Sequence, residues 1–452
     1  MKKPLLLILS LFLQFQFLYS QDAIKTLEEK QREIIQYGTE SEIANLIASL
    51  KKDNAVYLNN DLIKLAQISN NAHILTGVFS FFTDLAQTGL ETKAIELIQN
   101  RYDEQKEVVR SAIDYVGSVK AVEAIKPLQE IMDAEDKSFI NSAIRAIGKI
   151  AGTDKVSNKQ EIVAYLINYY KNGDPVDDDK NALIVSLGEI GSAESVDFIA
   201  DIVTNIDERP FRRMTALEAL GKIKDQKGLP AILQGVQDSD PNVRATAVAA
   251  LGPFTDKKVE DAILEAFRDS FYKTRIAAAK AAGDRKLVSA VPYLRFRSHN
   301  DEVPGVREAS IKALGQIANA EAVSVLIDLF KQKNNPDAIK IISAEMLMTI
   351  DAGTYSPEII KSHEEAKQQK QKQLQSGLAK VLSNGKSEGL KNLAKQFLTS
   401  TDVVEQSYGL QLAKNNRFSD LADLIKPLTD EKKYGSLALR ARETLDALGI
   451  TE

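Results

Sequence analysis

Apolar residues along this chain recur at the spacing of a single buried helical stripe, broken at regular intervals by short acidic turns. In KGLPAILQGVQDSDPNVRATAVAALG (227–252), Leu229, Ile232, Leu233 and Val236 form one stripe and Val243, Ala247, Ala250 and Leu251 a second. Both follow the i, i+3, i+4, i+7 rule for a helix with one buried face. Between them DSDPN supplies Asp238, Asp240 and Pro241, residues suited to turns and helix starts. The pattern predicts a pair of antiparallel helices, A and B.

The pair repeats. Arg213, Arg244, Arg275 and Arg307 recur along the chain, each preceded by an aspartate (Asp207, Asp238, Asp269, Asp301) and followed by a glycine (Gly221, Gly252, Gly283, Gly315) at constant offsets. A fixed period of about 31 residues marks a stacked repeat array in which each unit buries its face against its neighbours. Weaker copies end at Gly117, Gly148 and Gly188, with an insertion near 153–160 and an acidic turn near Asp174. Beyond Gly315 a unit runs to Thr349, where Asp351 or Gly353 replaces the usual glycine, and LALRARETLDALG closes on Gly449. Alanine in helix B lets a neighbouring helix come close, and the glycine of the LG step is expected to do the same. Gly191 and Gly228 read as true stops or turns.

The expected organisation is a signal peptide over 1–20, degenerate capping repeats over 21–100, regular repeats over 101–352 and divergent helical repeats over 353–452. Within the last, the charged, glutamine-rich segment 362–377 is expected to be either an exposed helical extension or a mobile loop. Lys2 and Lys3 precede an apolar run from Leu5 to Leu18, and Ser20 precedes a polar start at Gln21. That is the plan of a secretory signal, too short and too interrupted by Gln14 and Gln16 for a comfortable membrane span. With no cysteine to acylate, a lipoprotein signal is excluded. The expected location is outside the cytoplasm, in the periplasm, with no transmembrane segment in the mature chain.

The repeat unit resembles the HEAT-like repeat of the phycobilin-lyase (PBS-lyase) type, on AVEAIKPLQEIM, KGLPAILQGVQDSDPNVRATAVAALG and AEAVSVLIDLF. The likeness is strong over 108–315 and weaker towards the C-terminus, and identifies the chain as an exported bacterial member of that family. It implies an all-α fold, a right-handed α-solenoid of stacked two-helix repeats, with helix A convex and helix B concave. It also implies that Asp207, Arg213, Asp238, Arg244, Asp269, Arg275, Asp301 and Arg307 form a hydrogen-bonded ladder between repeats. Members of the superfamily mostly act as binding scaffolds.

Catalytic chemistry finds little support. His73, His299 and His363 are far apart, with no HExxH, GxSxG, P-loop or GxGxxG pattern. Zero cysteines remove thiolate chemistry, and no metal or cofactor is expected. The GDPVDDD turn (Asp174, Asp177, Asp178, Asp179) lacks the ligand alternation and glutamate of a calcium loop, and reads as a solvated helix start.

Charge points to a partner instead. Removing two lysines with the signal leaves 56 basic against 63 acidic residues, a mild −7 that argues against nucleic acid. The 174–208 stretch is strongly acidic. The 268–297 stretch carries Arg268, Lys273, Arg275, Lys280, Arg285, Lys286, Arg295 and Arg297 against only Asp269 and Asp284, a balance of +6. Those basic residues other than Arg275 are candidate contacts to an acidic protein segment or an anionic envelope polymer, with Phe271, Tyr272 and Phe296 beside them. On this view, replacing Arg285, Arg295 and Arg297 by glutamate abolishes capture and leaves melting unchanged. The expected function is a non-catalytic scaffold holding a protein on its concave surface. Alternatives are a lyase-like or small-ligand-binding enzyme and a structural assembly factor of the envelope.

Overall fold

A computed structural model describes residues 27–450. The expected signal peptide, 1–20, lies outside the described residues. Among the described residues the fold is all-α, and most of the longer helices fall into A/B pairs, as the sequence periodicity predicts, with short 3₁₀ turns in several of the connections. The chain divides after Gly228 into two compact units.

In the first unit, the A/B pairs run from helical residues 27–37 with Glu40–Lys52, through Asn59–Ile68 with Ala72–Asp84 and Glu91–Gln99 with Lys106–Val119, to Val196–Thr204 with Pro210–Ile223. Between these, Ile125–Asp133 packs with Ile140–Ala151 and Lys159–Asn172 with Asp177–Ile190. The insertion near 153–160 is a turn-rich connection that feeds the long Lys159–Asn172 helix. In the second unit the pairs are Leu229–Gly235 with Pro241–Ala250, Lys257–Ala266 with Tyr272–Asp284, and Val291–Asn300 with Pro304–Ile317. Ala320–Lys331 follows with the first half of Asp337–Gln368, and the second half of that element pairs with Lys372–Ser383. Asp351 breaks the long helix with extended backbone (φ −158°, ψ 95°). Its carboxylate accepts from the Thr354 amide (3.1 Å) and hydroxyl (2.7 Å), capping the segment beyond. Residues 362–368 of the glutamine-rich segment are helical, followed by a turn into Lys372–Ser383.

The LG glycines carry the packing of successive B helices. A Cβ on Gly117 would sit 3.1 Å from the Ala146 Cα, one on Gly188 2.9 Å from the Ala219 Cα, and one on Gly283 2.9 Å from the Ala313 Cα. At Gly148 it would meet the Ser186 Cα at 2.7 Å, and the Ser186 hydroxyl donates to the Ile144 carbonyl at 2.9 Å. Glycine is needed there because backbone approaches backbone. Gly252 differs. Its helix ends at Ala250, because Pro253 disfavours helical backbone at the preceding residue and cannot donate to the helix. Gly191 is the left-handed stop that its sequence context predicts (φ +70°), whereas Gly228 lies in a 3₁₀ turn that leads into Leu229–Gly235.

Candidate partner-binding surface

The repeating arginine sits at the fourth position of helix B, one turn in, where its side chain can reach back over the A–B turn and across to the next repeat. Arg275 does both. Its Nη1 donates to the carbonyls of Asp269 and Ser270 (both 3.0 Å), while Nε and Nη2 clamp the Asp301 carboxylate at 2.7 and 2.8 Å. The two side chains are 6% and 0% exposed. Arg244 repeats the geometry on the Asp238 and Ser239 carbonyls and on Asp269 (2.7 and 3.0 Å), with side chains 19% and 11% exposed. The arginine of one repeat thus holds the aspartate of the next. Each aspartate also accepts an amide two residues on: Asp240 to Asp238 (2.8 Å), Phe271 to Asp269 (2.7 Å) and Val303 to Asp301 (3.0 Å). Burial pushes the Asp269 and Asp301 carboxyls up. The arginine clamp and the turn amide outweigh it, and both sit below the ordinary carboxylate range.

Asp207 and Arg307, at the two ends of the set, are placed differently from the central pairs. Arg213 is buried and donates to its own turn at the Ile206 (3.4 Å) and Glu208 carbonyls. Asp207 is exposed, and its amide donates to the Asn205 side chain (3.0 Å). The residue one turn into the preceding B helix is Lys180, which lies 5.9 Å over the Tyr170 ring. At the far end the Arg307 Nε is buried without a hydrogen-bond partner, and the next turn offers Asn334 where an aspartate would stand.

Interactions of the same kind that the motif does not announce occur elsewhere. Arg212 is buried and donates to Asp177 (2.6 Å) and to Glu208. Arg101, also buried, faces Asp136 at 3.4 Å. Adjacency of two arginines in FRRM is a sequence signal for the first; nothing local signals the second. Two aspartates of the acidic turn are engaged in this way: Asp177 also pairs with Arg209, and Asp179 accepts from Asn141 (2.9 Å), while Asp174 and Asp178 are exposed. The Arg212 hydrogen bond holds the Asp177 carboxyl below its usual range. Among the described residues no group of three or more carboxylates or histidines is arranged to hold a metal ion. His73 is exposed, the His299 Nδ1 lies 2.8 Å from the Arg295 carbonyl, and buried His363 stacks edge-on against Phe397.

The basic run 268–297 does not form one face. Lys273 and Lys280 are exposed on the Tyr272–Asp284 B helix, Lys273 lying over Phe271. Lys286 stands in the left-handed turn that closes that helix (φ +50°). Arg268, Arg295 and Arg297 belong to the A-helix side, where Arg295 faces Asp328 (3.7 Å) across an exposed pair. Arg285 is tied into the stack: its Nη1 donates to the Gly252 (3.1 Å) and Phe254 carbonyls, groups freed where the preceding B helix stops early. A substitution there is therefore not silent in melting. On the B-helix side, a cleft of about 680 Å³ lies between Asp337–Gln368 and Lys372–Ser383, with Glu345, Asp351, Lys380 and Lys386 on its walls.

No helix among the described residues is long and apolar enough to cross a membrane. No curated protein matches the chain. Among solved structures it is similar to a Kap121p mutant (13% identity, 95% of this chain and 54% of that one, TM-score 0.49) and to importin β crystallised in ammonium sulfate (12%, 91% and 67%, TM-score 0.50). A third likeness, to human deoxyhypusine hydroxylase in complex with glycerol, covers 58% of this chain and 96% of that one at 13% identity, and its TM-score of 0.26 is too low to bear on activity. The chain spans about half the length of the Kap121p structure it matches. The importin β likeness is one of fold, the stacked helical-repeat solenoid. A family model described as spirochaete HEAT repeat protein matches residues 35–444, most of the chain, and the protein belongs to that family.

Proposed function

We propose that this protein is an exported, non-catalytic scaffold that holds a protein partner in the periplasm or cell envelope, across the outward positions of its B helices. One observation carries the reading. In the second unit, glycine contacts (Gly283 on Ala313, Gly315 on Met346, Gly377 on Ile341) bring four successive B helices side by side, and these four present a row of solvated charged residues: Lys280, Lys312, Glu345 and Lys380 are all exposed. Such a row draws one contact from each of several repeats, which suits an extended partner and supplies no converging catalytic group. Export rests on the sequence of residues 1–20.

A photocrosslinking residue placed at position 280 or 312, in the native host, tests both parts. The expected result is a defined envelope protein crosslinked from both positions but not from exposed Lys331 on helix A. Equal, diffuse crosslinking from all three positions would sink the B-helix surface. Fusing residues 1–20 to a reporter active only outside the cytoplasm tests export, and an inactive reporter refutes it.

A further inference from the structure

On the A-helix side of the second unit an open cleft of about 300 Å³ is lined by Phe267, Arg268, Pro292, Tyr293, Phe296 and Arg297. Buried Phe267 stacks on Tyr293, with centroids 5.6 Å apart and planes 27° from parallel. Phe296 stands beside them 57% exposed. Single exposed apolar residues need no explanation, but here aromatic rings converge with two cations. The Arg268 guanidinium lies 5.4 Å over the Tyr293 ring and the Arg297 guanidinium 5.4 Å over Phe296.

The arginines are oriented without being consumed. Arg268 Nη1 donates to Glu265 (2.7 Å), and Nη2 approaches the Tyr293 hydroxyl (3.5 Å). Arg297 commits Nη1 to Asp301 at 3.3 Å, a carboxylate already clamped by Arg275 and the Val303 amide. Its Nε and Nη2 remain for an outside acceptor.

We propose that this cleft is a linear-motif site for an acidic, extended segment of a partner protein. A partner apolar side chain packs on Phe267, Tyr293 and Phe296, and a neighbouring carboxylate takes the free donors of Arg297, with Arg268 adding attraction. Charge complementarity selects the acidic partner, since the charged residues lining the cleft are Arg268 and Arg297, with no carboxylate among its lining residues. The ring floor selects a peptide over a phosphate polyanion, which would engage the guanidiniums and leave the rings unused. The proposal rests on the scaffold reading and names the chemistry of its partner.

The test is fluorescence anisotropy on the full chain with a labelled short peptide, a phenylalanine flanked by glutamates and aspartates. Expected is saturable binding that weakens at least about tenfold when the peptide phenylalanine becomes serine or its acids become lysines, as for a small hot spot. Phe296→Ser and Arg297→Gln should each weaken it by a similar factor; melting stays unchanged in Phe296→Ser, since Phe296 is exposed, and falls only modestly in Arg297→Gln, since Asp301 loses the Arg297 contact but keeps Arg275. Lys126→Gln, at an exposed position on an A helix of the first unit, should leave it unaltered. Absence of saturable binding, or full binding by Phe296→Ser, overturns the proposal. So does heparin that competes through the arginines but binds Phe296→Ser normally, which makes the site one for polyanions. A partner crosslinked from the B helices with no peptide affinity in the cleft would overturn this site alone and leave the scaffold reading standing.

Discussion

Replacing Arg275 by methionine should cost about 3 kcal/mol of stability in the second unit. The substitution keeps most of the stem and removes the guanidinium, so packing changes little. What remains is an Asp301 side chain with no exposure, holding only the Val303 amide (3.0 Å) and the Arg297 Nη1 (3.3 Å). Two turn carbonyls, of Asp269 and Ser270, also lose their donor. Breaking one side of a buried pair typically costs about 3–5 kcal/mol, because the other charge is left without compensation. Residual contacts from Arg297 and Val303 place the value at the low end. Arg244→Met should cost about 1–2 kcal/mol, since its pair is partly exposed and water can replace the lost donors. Adding Asp301→Asn to Arg275→Met should recover about 1 kcal/mol by removing the stranded charge. Urea unfolding by circular dichroism, with native-state hydrogen exchange over Tyr272–Ile317, reads both the global and the local loss, which matters because repeat arrays need not unfold as one unit. If Arg275→Met lies within about 0.5 kcal/mol of wild type, or costs less than Arg244→Met, the inter-repeat clamp does not carry the stability assigned to it.

Three further outcomes follow from the same geometry. Asp269 and Asp301 have folded-state carboxyl pKa values below the unfolded value, so their contribution is complete above about pH 4 and is lost as pH falls through the folded values; acid titration of melting should show a shallower low-pH limb in Asp301→Asn, and an unchanged limb would refute the assignment. The same LG step should respond with opposite sign at two positions: Gly148→Ala drives a Cβ into the Ser186 backbone and should cost about 2 kcal/mol. Gly252→Ala meets only the Ala249 carbonyl at 3.6 Å and should be neutral or stabilising by up to about 1 kcal/mol, both readable by thermal melting. Arg285→Gln removes the donor to the Gly252 and Phe254 carbonyls and should destabilise by about 1–2 kcal/mol without weakening peptide binding at the aromatic cleft; a melting curve identical to wild type would return Arg285 to the pool of free surface charges.

The repeating unit is legible from the chain alone because everything that makes it is local. Val243, Ala247 and Ala250 must share a face once the segment is helical, and Pro241 with Asp240 must start that helix whatever surrounds it. The need for glycine at 117, 148, 188 and 283 follows nearly as directly, since a register of small residues at a constant period implies close approach of neighbouring helices. The fate of each charged side chain is different in kind. Arg275 and Asp301, or Arg285 and the Gly252 carbonyl, are separated by a whole repeat, and whether they meet depends on how one unit is rotated and advanced on the next. That stacking turned Arg285 from a candidate contact into a structural donor and left Asp207 facing water, because Pro253 shortens one helix and the B helix before Asp207 carries Lys180 where the clamping arginine would stand. Phe267 and Tyr293 escaped a sequence reading since they stand at positions that read as ordinary core stripes. Only the offset between consecutive A helices opens a cleft over them and brings Phe296 and two guanidiniums to its rim. Periodicity decided how this protein is built, and the stacking of one repeat on the next decided which of its charges are free to meet a partner.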